Sequence, residues 1–231
     1  MWRPFLAQTG GDAPDLPGFG RSRKPANGDY SFRALGRWFA DYTKDLERFS
    51  LVVHDWGAVG LLAAMERPEA IERLVIMDAV PFLPGYRWHP VARIWRRRLA
   101  GELFMGLSSK WGFRMLATRQ SETQVPEAVL EEAIDGIWKY FDHGTQRAIL
   151  RLYRSAPEDE LAEVSPDLKK ITAPALVVWG DKDPYLEPKF AHGYADALGG
   201  PAEVELVEDA GHWPWYEQPR VIDRVAAFLG G

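Results

Sequence analysis

Four short runs predict the strands of a parallel sheet. Residues 51–54, 73–77 and 175–179 are mostly apolar, and valine, leucine and isoleucine are frequent in them; residues 203–207 alternate glutamate with apolar residues and are predicted as the last strand. Apolar runs without alternation favour strands that are buried on both faces. Because segments with helical spacing separate the runs, the pattern predicts an α/β fold, a mostly parallel sheet flanked by helices and joined by right-handed crossovers.

The spacing of apolar residues also predicts two helices outside the strands. Between residues 31 and 47 the apolar positions recur as on an amphipathic helix, and Ser31 stands where an N-cap belongs. A second amphipathic helix is predicted over residues 219–229. We expect no regular element in residues 1–13.

The strand pattern stops between the second and third runs. From residue 81 to residue 166 the chain is helical in spacing, rich in aromatic residues and partly basic. The sequence therefore predicts a core of residues 1–80 and 167–231 with a helical insertion over residues 81–166. The arginine run 96–98 is interpreted as a solvated helix face.

Composition narrows the function classes. The 231 residues have a net charge of −5, which gives no basic footprint for nucleic acid, and 0 cysteines, which removes thiol chemistry. No apolar run is long enough to cross a bilayer, and no leader segment is visible. The scattered histidines favour no metal site. We expect a cytoplasmic protein without a membrane partner, and some of the 10 tryptophans must line something besides the core.

Polar side chains follow three of the predicted strands. Asp55 ends the first run, before Gly57 and an apolar helix, while Asp183 and His212 follow the third and fourth runs. The carboxyl ends of parallel strands share one edge, so these groups are expected to converge. A sharp strand-to-helix turn would present Asp55 to a cleft. Simple capping of the helix by Asp55 is the plainer alternative.

The sequence around these residues resembles the α/β-hydrolase family. Residues 53–57, VHDWG, resemble its nucleophile elbow with aspartate as the nucleophile, as in haloalkane dehalogenases and epoxide hydrolases. Residues 179–184 resemble its acid loop, 210–214 its histidine loop and 15–22 a turn before its first helix. The absence of any G-x-S-x-G argues against a serine esterase. The resemblance implies an α/β-hydrolase fold with a helical cap inserted, and covers residue 14 to the end.

The resemblance also implies roles for the three polar residues. Asp55 would attack a saturated carbon and form an ester, and His212 would activate the water that hydrolyses it. Asp183 would orient His212, and the Trp56 backbone N–H would help to hold the oxyanion. Asp181 and Asp78 remain alternatives for the orienting acid. Some dehalogenases place this acid where Asp78 stands.

The leaving group decides the enzyme class and stays open at this point. Trp56 suits a halide site, while Tyr153 resembles one of two lid tyrosines that protonate an epoxide oxygen; Tyr153 as a packed cap aromatic is an equal alternative. Tyr86 and Tyr140 are weaker matches for the other tyrosine. An epoxide hydrolase is favoured narrowly over a haloalkane dehalogenase. A catalytically impaired relative that binds an apolar ligand or another chain is a third interpretation.

One part of the family pattern is missing. Relatives have strands and a His-Gly-x-Pro loop before the segment at Asp15, and this chain shows neither. An uncovered sheet edge invites pairing with another chain, which makes a homodimer possible. We expect a small-molecule substrate and no cofactor.

Overall fold

The computed structural model describes residues 1–118 and 125–230. Four strands form one sheet: β1 (Phe49–Asp55), β2 (Ile71–Ala79), β3 (Ala175–Gly180) and β4 (Ala202–Val207). The helices before β3 are α1 (Arg3–Thr9), α2 (Phe32–Thr43), α3 (Gly60–Glu66), α4 (Pro90–Arg96), α5 (Ala100–Gly106), α6 (Lys110–Thr118), α7 (Glu127–Trp138), α8 (His143–Arg154) and α9 (Glu158–Ala162). After β3 come α10 (Lys189–Ala197), α11 (Pro214–Glu217) and α12 (Arg220–Gly230), and three 3-10 turns span Trp56–Val59, Pro68–Ala70 and Ser165–Lys170.

The four strands are parallel and lie in the order β1-β2-β3-β4. All four predicted strands are confirmed, each lengthened by one to four residues. Chain order and spatial order agree, so the carboxyl ends of β1, β3 and β4 lie along one edge of the sheet. The predicted convergence of the groups after these strands follows from this topology.

The inner strands β2 and β3 are buried on both faces of the sheet, which explains why they are apolar without alternation, whereas the edge strand β4 is partly exposed. In β2, Leu74 and Ile76 pack into one hydrophobic cluster with α2, α3 and α10, while Val75 and Met77 pack into a second with α12. All four side chains are 0% exposed. Such burial on two sides requires helices on both faces of the sheet.

The predicted helix after Ser31 is confirmed as α2, and the hydroxyl of Ser31 accepts a hydrogen bond from the Ala34 backbone N–H. The predicted C-terminal helix is confirmed as α12. Between β2 and β3, the described residues form helices and turns and no strand. Among the described residues, no helix combines the length and hydropathy that a membrane crossing requires.

The expectation for residues 1–13 is wrong, because residues Arg3–Thr9 form helix α1. The helix packs on α12, and its Phe5 is buried beside Trp215 with ring centroids 5.6 Å apart. Trp2 stacks on the same indole at 6.0 Å. Seven residues are too few for a helical period to be recognised in the sequence. Packing of these two aromatic side chains on Trp215 stabilises the helix instead.

The interpretation of residues 96–98 as a solvated face holds for Arg97 and Arg98, which are exposed, but is wrong for Arg96. The Arg96 guanidinium is partly buried and donates to the carbonyl oxygens of Tyr153 and Ala156, each at 2.5 Å. It therefore ties α4 to the end of α8.

Candidate active site

Asp55 lies at the point where β1 bends into the 3-10 turn Trp56–Val59. Its backbone has φ 48° and ψ −124°, outside the regions that most residues adopt. Aspartate tolerates a positive φ better than most residues, and strain of this kind is found where a fold fixes a functional group. The geometry is a sharp strand-to-helix turn with Asp55 at its apex, and no side-chain cap hydrogen bond is made to the turn.

His212 and Asp183 form a buried hydrogen-bonded pair. His212 Nδ1 lies 2.8 Å from Asp183 Oδ2, and the residues are 4% and 8% exposed. The second oxygen of Asp183 accepts from the backbone N–H groups of Tyr185 and Leu186 at 2.7 and 3.1 Å. Because Asp183 is held from both sides, it fixes the His212 ring and leaves Nε2 of that ring for chemistry.

His54 anchors the loop that holds His212. Its Nε2 lies 2.8 Å from the His212 carbonyl oxygen, so Nε2 bears the proton and donates it. The two imidazole rings are 4.7 Å apart, and Trp215 packs edge-on against His54 at 4.7 Å. Burial, reinforced by the charge of His212, lowers the pKa of His54 to about 3. His54 is thus a neutral structural residue.

Burial and the neighbouring charges shift the pKa values of Asp55, His212 and Asp183 in opposite directions. Burial raises the pKa of Asp55, while the charge of His212 and the Trp56 backbone N–H act against it. Burial alone would lower the pKa of His212, but the charge and hydrogen bond of Asp183 outweigh it and leave that pKa raised. For Asp183 the balance reverses, since His212 and the backbone donors outweigh burial and lower its pKa.

Asp55 and His212 line one cleft of about 2120 Å³, which follows the whole length of β1 and continues beneath the helices after β2. Sites for small molecules are usually about 300–1,000 Å³. The cleft is larger because it includes the open side of β1, which pairs only with β2 among the described residues. The end that holds Asp55 is the candidate site.

An aromatic wall lines the cleft that holds Asp55. The Trp56 ring stacks on Trp88 with centroids 5.5 Å apart and meets Tyr153 edge-on at 5.2 Å. Tyr153 also contacts Trp95 at 4.9 Å, and Tyr86 contacts Trp88 at 5.0 Å. Four of these five residues come from the segment between β2 and β3. Sequence reasoning missed Trp88 and Trp95; only the surplus of tryptophan pointed to such a wall.

Three buried donors of this wall have no hydrogen-bond partner among the described residues: Trp56 Nε1, Tyr86 Oη and Trp95 Nε1. Burial and then the charge of Asp55 raise the pKa of Tyr153 well above its ordinary value. Burial, the Tyr153 hydroxyl and Asp55 raise the pKa of Tyr86 in the same direction. Both phenols therefore remain protonated and able to donate.

The other candidates are placed differently. Asp78, not exposed at all, accepts from the Gly180 backbone N–H at 2.9 Å, and no donor of a described residue reaches its Oδ2. Asp181 Oδ1 is likewise unpartnered in the described chain. Tyr140 follows α7, where the ammonium groups of Lys24 and Lys139 lie over its ring. His212 bonds to Asp183 rather than to either alternative acid.

Oxygen or nitrogen atoms of Asp78, Asp183 and His212 lie within 4.8 Å of one another, and distance alone would select this group for a cation. The hydrogen bond between His212 Nδ1 and Asp183 Oδ2 already occupies two of the atoms that a cation would need. We therefore assign the cluster to hydrogen bonding. That the chain needs no metal stays a prediction.

The chain is similar in sequence to known proteins. A haloalkane dehalogenase from Mycobacterium marinum is 32% identical over 186 residues, which cover 75% of this chain and 59% of that protein. Epoxide hydrolase 2 from Caenorhabditis elegans is 24% identical over 231 residues, which cover 91% of this chain and 63% of that protein. The chain thus spans less than two thirds of the length of both curated relatives.

Solved structures share the fold. The crystal structure of a haloalkane dehalogenase from Bradyrhizobium elkani matches with a TM-score of 0.78 at 21% identity, over 100% of this chain and 85% of that one. A family model described as the alpha/beta hydrolase family matches residues 1–225. With its parallel sheet, its bent turn at Asp55 and this match over nearly its whole length, the chain belongs to the α/β-hydrolase family.

Proposed function

We propose that the protein is a hydrolase that acts on a small apolar substrate through a covalent ester of Asp55. The observation that supports this most is that Asp55, at a strained turn, lines the same mostly apolar cleft as His212, whose ring is hydrogen-bonded to the buried Asp183. A desolvated carboxylate aimed at a saturated carbon is a competent nucleophile.

The proposed reaction has two steps. An oxygen of Asp55 attacks the carbon, a carbon–oxygen ester bond forms, and the bond from that carbon to the leaving group breaks. His212 Nε2 then removes a proton from water, whose oxygen attacks the carboxyl carbon of Asp55. The ester bond between that carbon and the substrate oxygen breaks, and the proton on His212 passes to the departing oxygen, so that an alcohol leaves and Asp55 is again a free carboxyl group. Asp183 stabilises the imidazolium that forms, and the Trp56 backbone N–H helps to hold the oxyanion.

An epoxide is the substrate class that the wall favours. Opening an epoxide leaves an alkoxide, which needs a proton donor near the nucleophile. The hydroxyl groups of Tyr153 and Tyr86 belong to the wall over Asp55, both remain protonated, and the Tyr86 hydroxyl has no partner in the described chain. The second tyrosine, a weak candidate from sequence, gains support from its burial against Trp88.

A haloalkane is the second candidate. A halide leaves with its electron pair and needs N–H donors rather than an acid. The indole N–H groups of Trp56 and Trp95 are buried in the same wall without acceptors among the described residues. The relative from Mycobacterium marinum is a haloalkane dehalogenase. Either substrate class uses the same Asp55 ester.

We further propose that residues 81–166 act as the cap over a core of residues 1–80 and 167–231. Tyr86, Trp88, Trp95 and Tyr153 of this segment form the roof above Asp55, and their exchange for other residues would reshape the site. A homodimer through the open side of β1 stays a prediction without support from the comparisons. A cytoplasmic location stays a prediction as well.

A substrate panel tests the proposal and separates the candidates. Diol from styrene oxide supports the epoxide hydrolase, and halide release from 1-bromobutane supports the dehalogenase. In the first case Tyr153→Phe loses more activity than Trp56→Phe, since it removes the proton donor; in the second the order reverses. Trp38→Phe, on α2 and outside the wall, is the matched control. If neither product forms while both compounds still bind, the result would favour a catalytically impaired relative that only binds an apolar ligand.

A further inference from the structure

Asp78 is a buried carboxyl group that the proposed reaction does not use. It is the extra residue of a bulge in β2, since His54 pairs with Met77 whereas Asp55 pairs with Ala79. Its backbone has φ 35°, and its side chain is fully buried. Bulges next to functional sites re-aim a side chain. Here the bulge turns Asp78 toward the end of β3 and the acid loop.

The hydrogen bonds around Asp78 and Asp183 are unequal. Asp183 accepts from two backbone N–H groups and from His212, which satisfies both of its oxygens as a carboxylate. Asp78 accepts only from the Gly180 N–H, through Oδ1. Its Oδ2 is buried without a donor from the described residues, and one oxygen of Asp78 lies within 4.8 Å of ligand atoms of both Asp183 and His212.

Two buried carboxyl groups this close do not both ionise at neutral pH. The proton belongs on the carboxyl group that receives fewer hydrogen bonds. A buried carboxylate loses its hydration, and without hydrogen-bond donors nothing in the protein replaces that stabilisation of its charge. That group is Asp78. We propose that Asp78 is a permanently protonated positioning residue, whose Oδ2–H donates to Asp183 and holds that carboxylate against the His212 ring.

The surrounding charges agree with this arrangement. Burial, then the charge of Asp183, raises the pKa of Asp78 well above its ordinary value, and Glu217 of α11 acts in the same sense. His212, on the loop after β4, faces the pair, and its hydrogen bond and positive charge when protonated favour ionisation of Asp183 rather than Asp78. The hydrogen bond from the Gly180 N–H acts in the opposite direction and lowers the pKa of Asp78.

An asparagine at this position would reproduce the proposed contacts. Its carbonyl oxygen accepts from the Gly180 N–H, and its amide N–H donates to Asp183 without any charge change. Asp78→Asn should therefore keep kcat within about threefold, and Asp78→Ala should lower kcat about 10- to 100-fold, because hydrogen bonds to charged groups are worth that much. This kinetic consequence rests on the proposed function.

Infrared spectroscopy tests the proton itself without any turnover. The protein is labelled with aspartate enriched in ¹³C at the carboxyl carbon and is measured at about pH 8, where ordinary carboxyl groups are ionised. We expect a C=O band of a protonated aspartic acid in the wild type and in Asp55→Asn, and none in Asp78→Asn. Absence of the band from the wild type, its loss in Asp55→Asn or its persistence in Asp78→Asn would overturn the proposal. If Asp78→Asn does not fold, the wild type and Asp55→Asn decide.

The positioning role has its own readout. The proton on His212 Nδ1 should give a far-downfield NMR signal in the wild type and in Asp78→Asn, and this signal should weaken in a folded Asp78→Ala. If turnover is detected, the acid limb of kcat/KM in Asp78→Asn should coincide with that of the wild type. A shift of this limb to lower pH would mean that an ionised Asp78 raises the pKa of His212, which contradicts the proposal. A protein without activity would leave the spectroscopic results standing.

Discussion

His54 should make the stability of the protein depend on pH, and replacing it tests how the loop of His212 is held. Its pKa is lowered to about 3 in the folded chain, with burial as the main cause. In the unfolded chain its pKa is about 6.5. The unfolded state therefore takes up a proton at a higher pH, and the stability that neutral His54 provides is lost as pH falls from about 6.5 toward 3.

The magnitude follows from the two pKa values. A tenfold difference in proton affinity between the folded and unfolded chain is worth about 1.4 kcal/mol, so the limiting contribution is about 5 kcal/mol below both pKa values. Between about pH 7.5 and pH 5 the loss is about 2 kcal/mol. His89, whose pKa burial lowers to about 4, acts in the same direction, whereas the raised pKa of His212 acts in the opposite one. Only the difference between wild type and a variant isolates His54.

His54→Gln supplies that difference. Glutamine keeps an N–H for the His212 carbonyl oxygen but does not titrate. Urea unfolding of both proteins across this pH range should show that the free energy of unfolding of the variant falls about 2 kcal/mol less than that of the wild type. His192→Gln, at an exposed position of α10, should keep the wild-type dependence. Parallel curves for wild type and His54→Gln would refute the assignment of a buried neutral His54.

Two further predictions concern the acid loop and the end of β3. Asp183→Asn should lower kcat/KM about 10²–10⁴-fold through loss of the oriented base, and its acid limb should move to lower pH because the pKa of His212 is no longer raised; pH–rate profiles check both. A profile that keeps its acid limb would contradict this role. Gly180→Ala should destabilise the fold by about 1–3 kcal/mol, since a Cβ there would collide with the carbonyl oxygens of Ala210 and Gly211; thermal unfolding checks it. Gly136→Ala, in open space on α7, should be neutral or stabilising, and an equal loss in both variants would refute the steric reasoning.

The inner strands of the sheet were predictable because they bury both faces. A short apolar run without alternation is typical of a strand that is buried on both faces. In a parallel sheet the carboxyl ends of the strands share one edge, and this predicted that Asp55, Asp183 and His212 lie along the same edge. The roles of these three residues remain proposals. Helix α1 was not predictable, since its seven residues are stabilised by Trp2 and Phe5 against a tryptophan far along the chain.

The glycines also show that contacts between distant parts of the chain cannot be predicted from the sequence. The sequence drew attention to Gly57, but a Cβ there would meet only the Cβ of Val53 at 3.8 Å, an ordinary contact. Gly180 is the position where backbone segments approach too closely for a side chain, and the partner segment is thirty residues away. The unpartnered donors at Tyr86 and Trp95 likewise depend on how the segment between β2 and β3 folds over Asp55.

The central claim is a covalent bond to one carboxyl oxygen of Asp55, and intact-protein mass spectrometry tests it directly. His212→Gln should allow the first step and block the second, so a brief incubation with styrene oxide or 1-bromobutane should add the mass of one substrate-derived group. Peptide mapping should place that group on Asp55, and Asp55→Asn combined with His212→Gln should remain unmodified. A group found on any other residue, or no added mass with either substrate in a folded His212→Gln protein, would contradict the account.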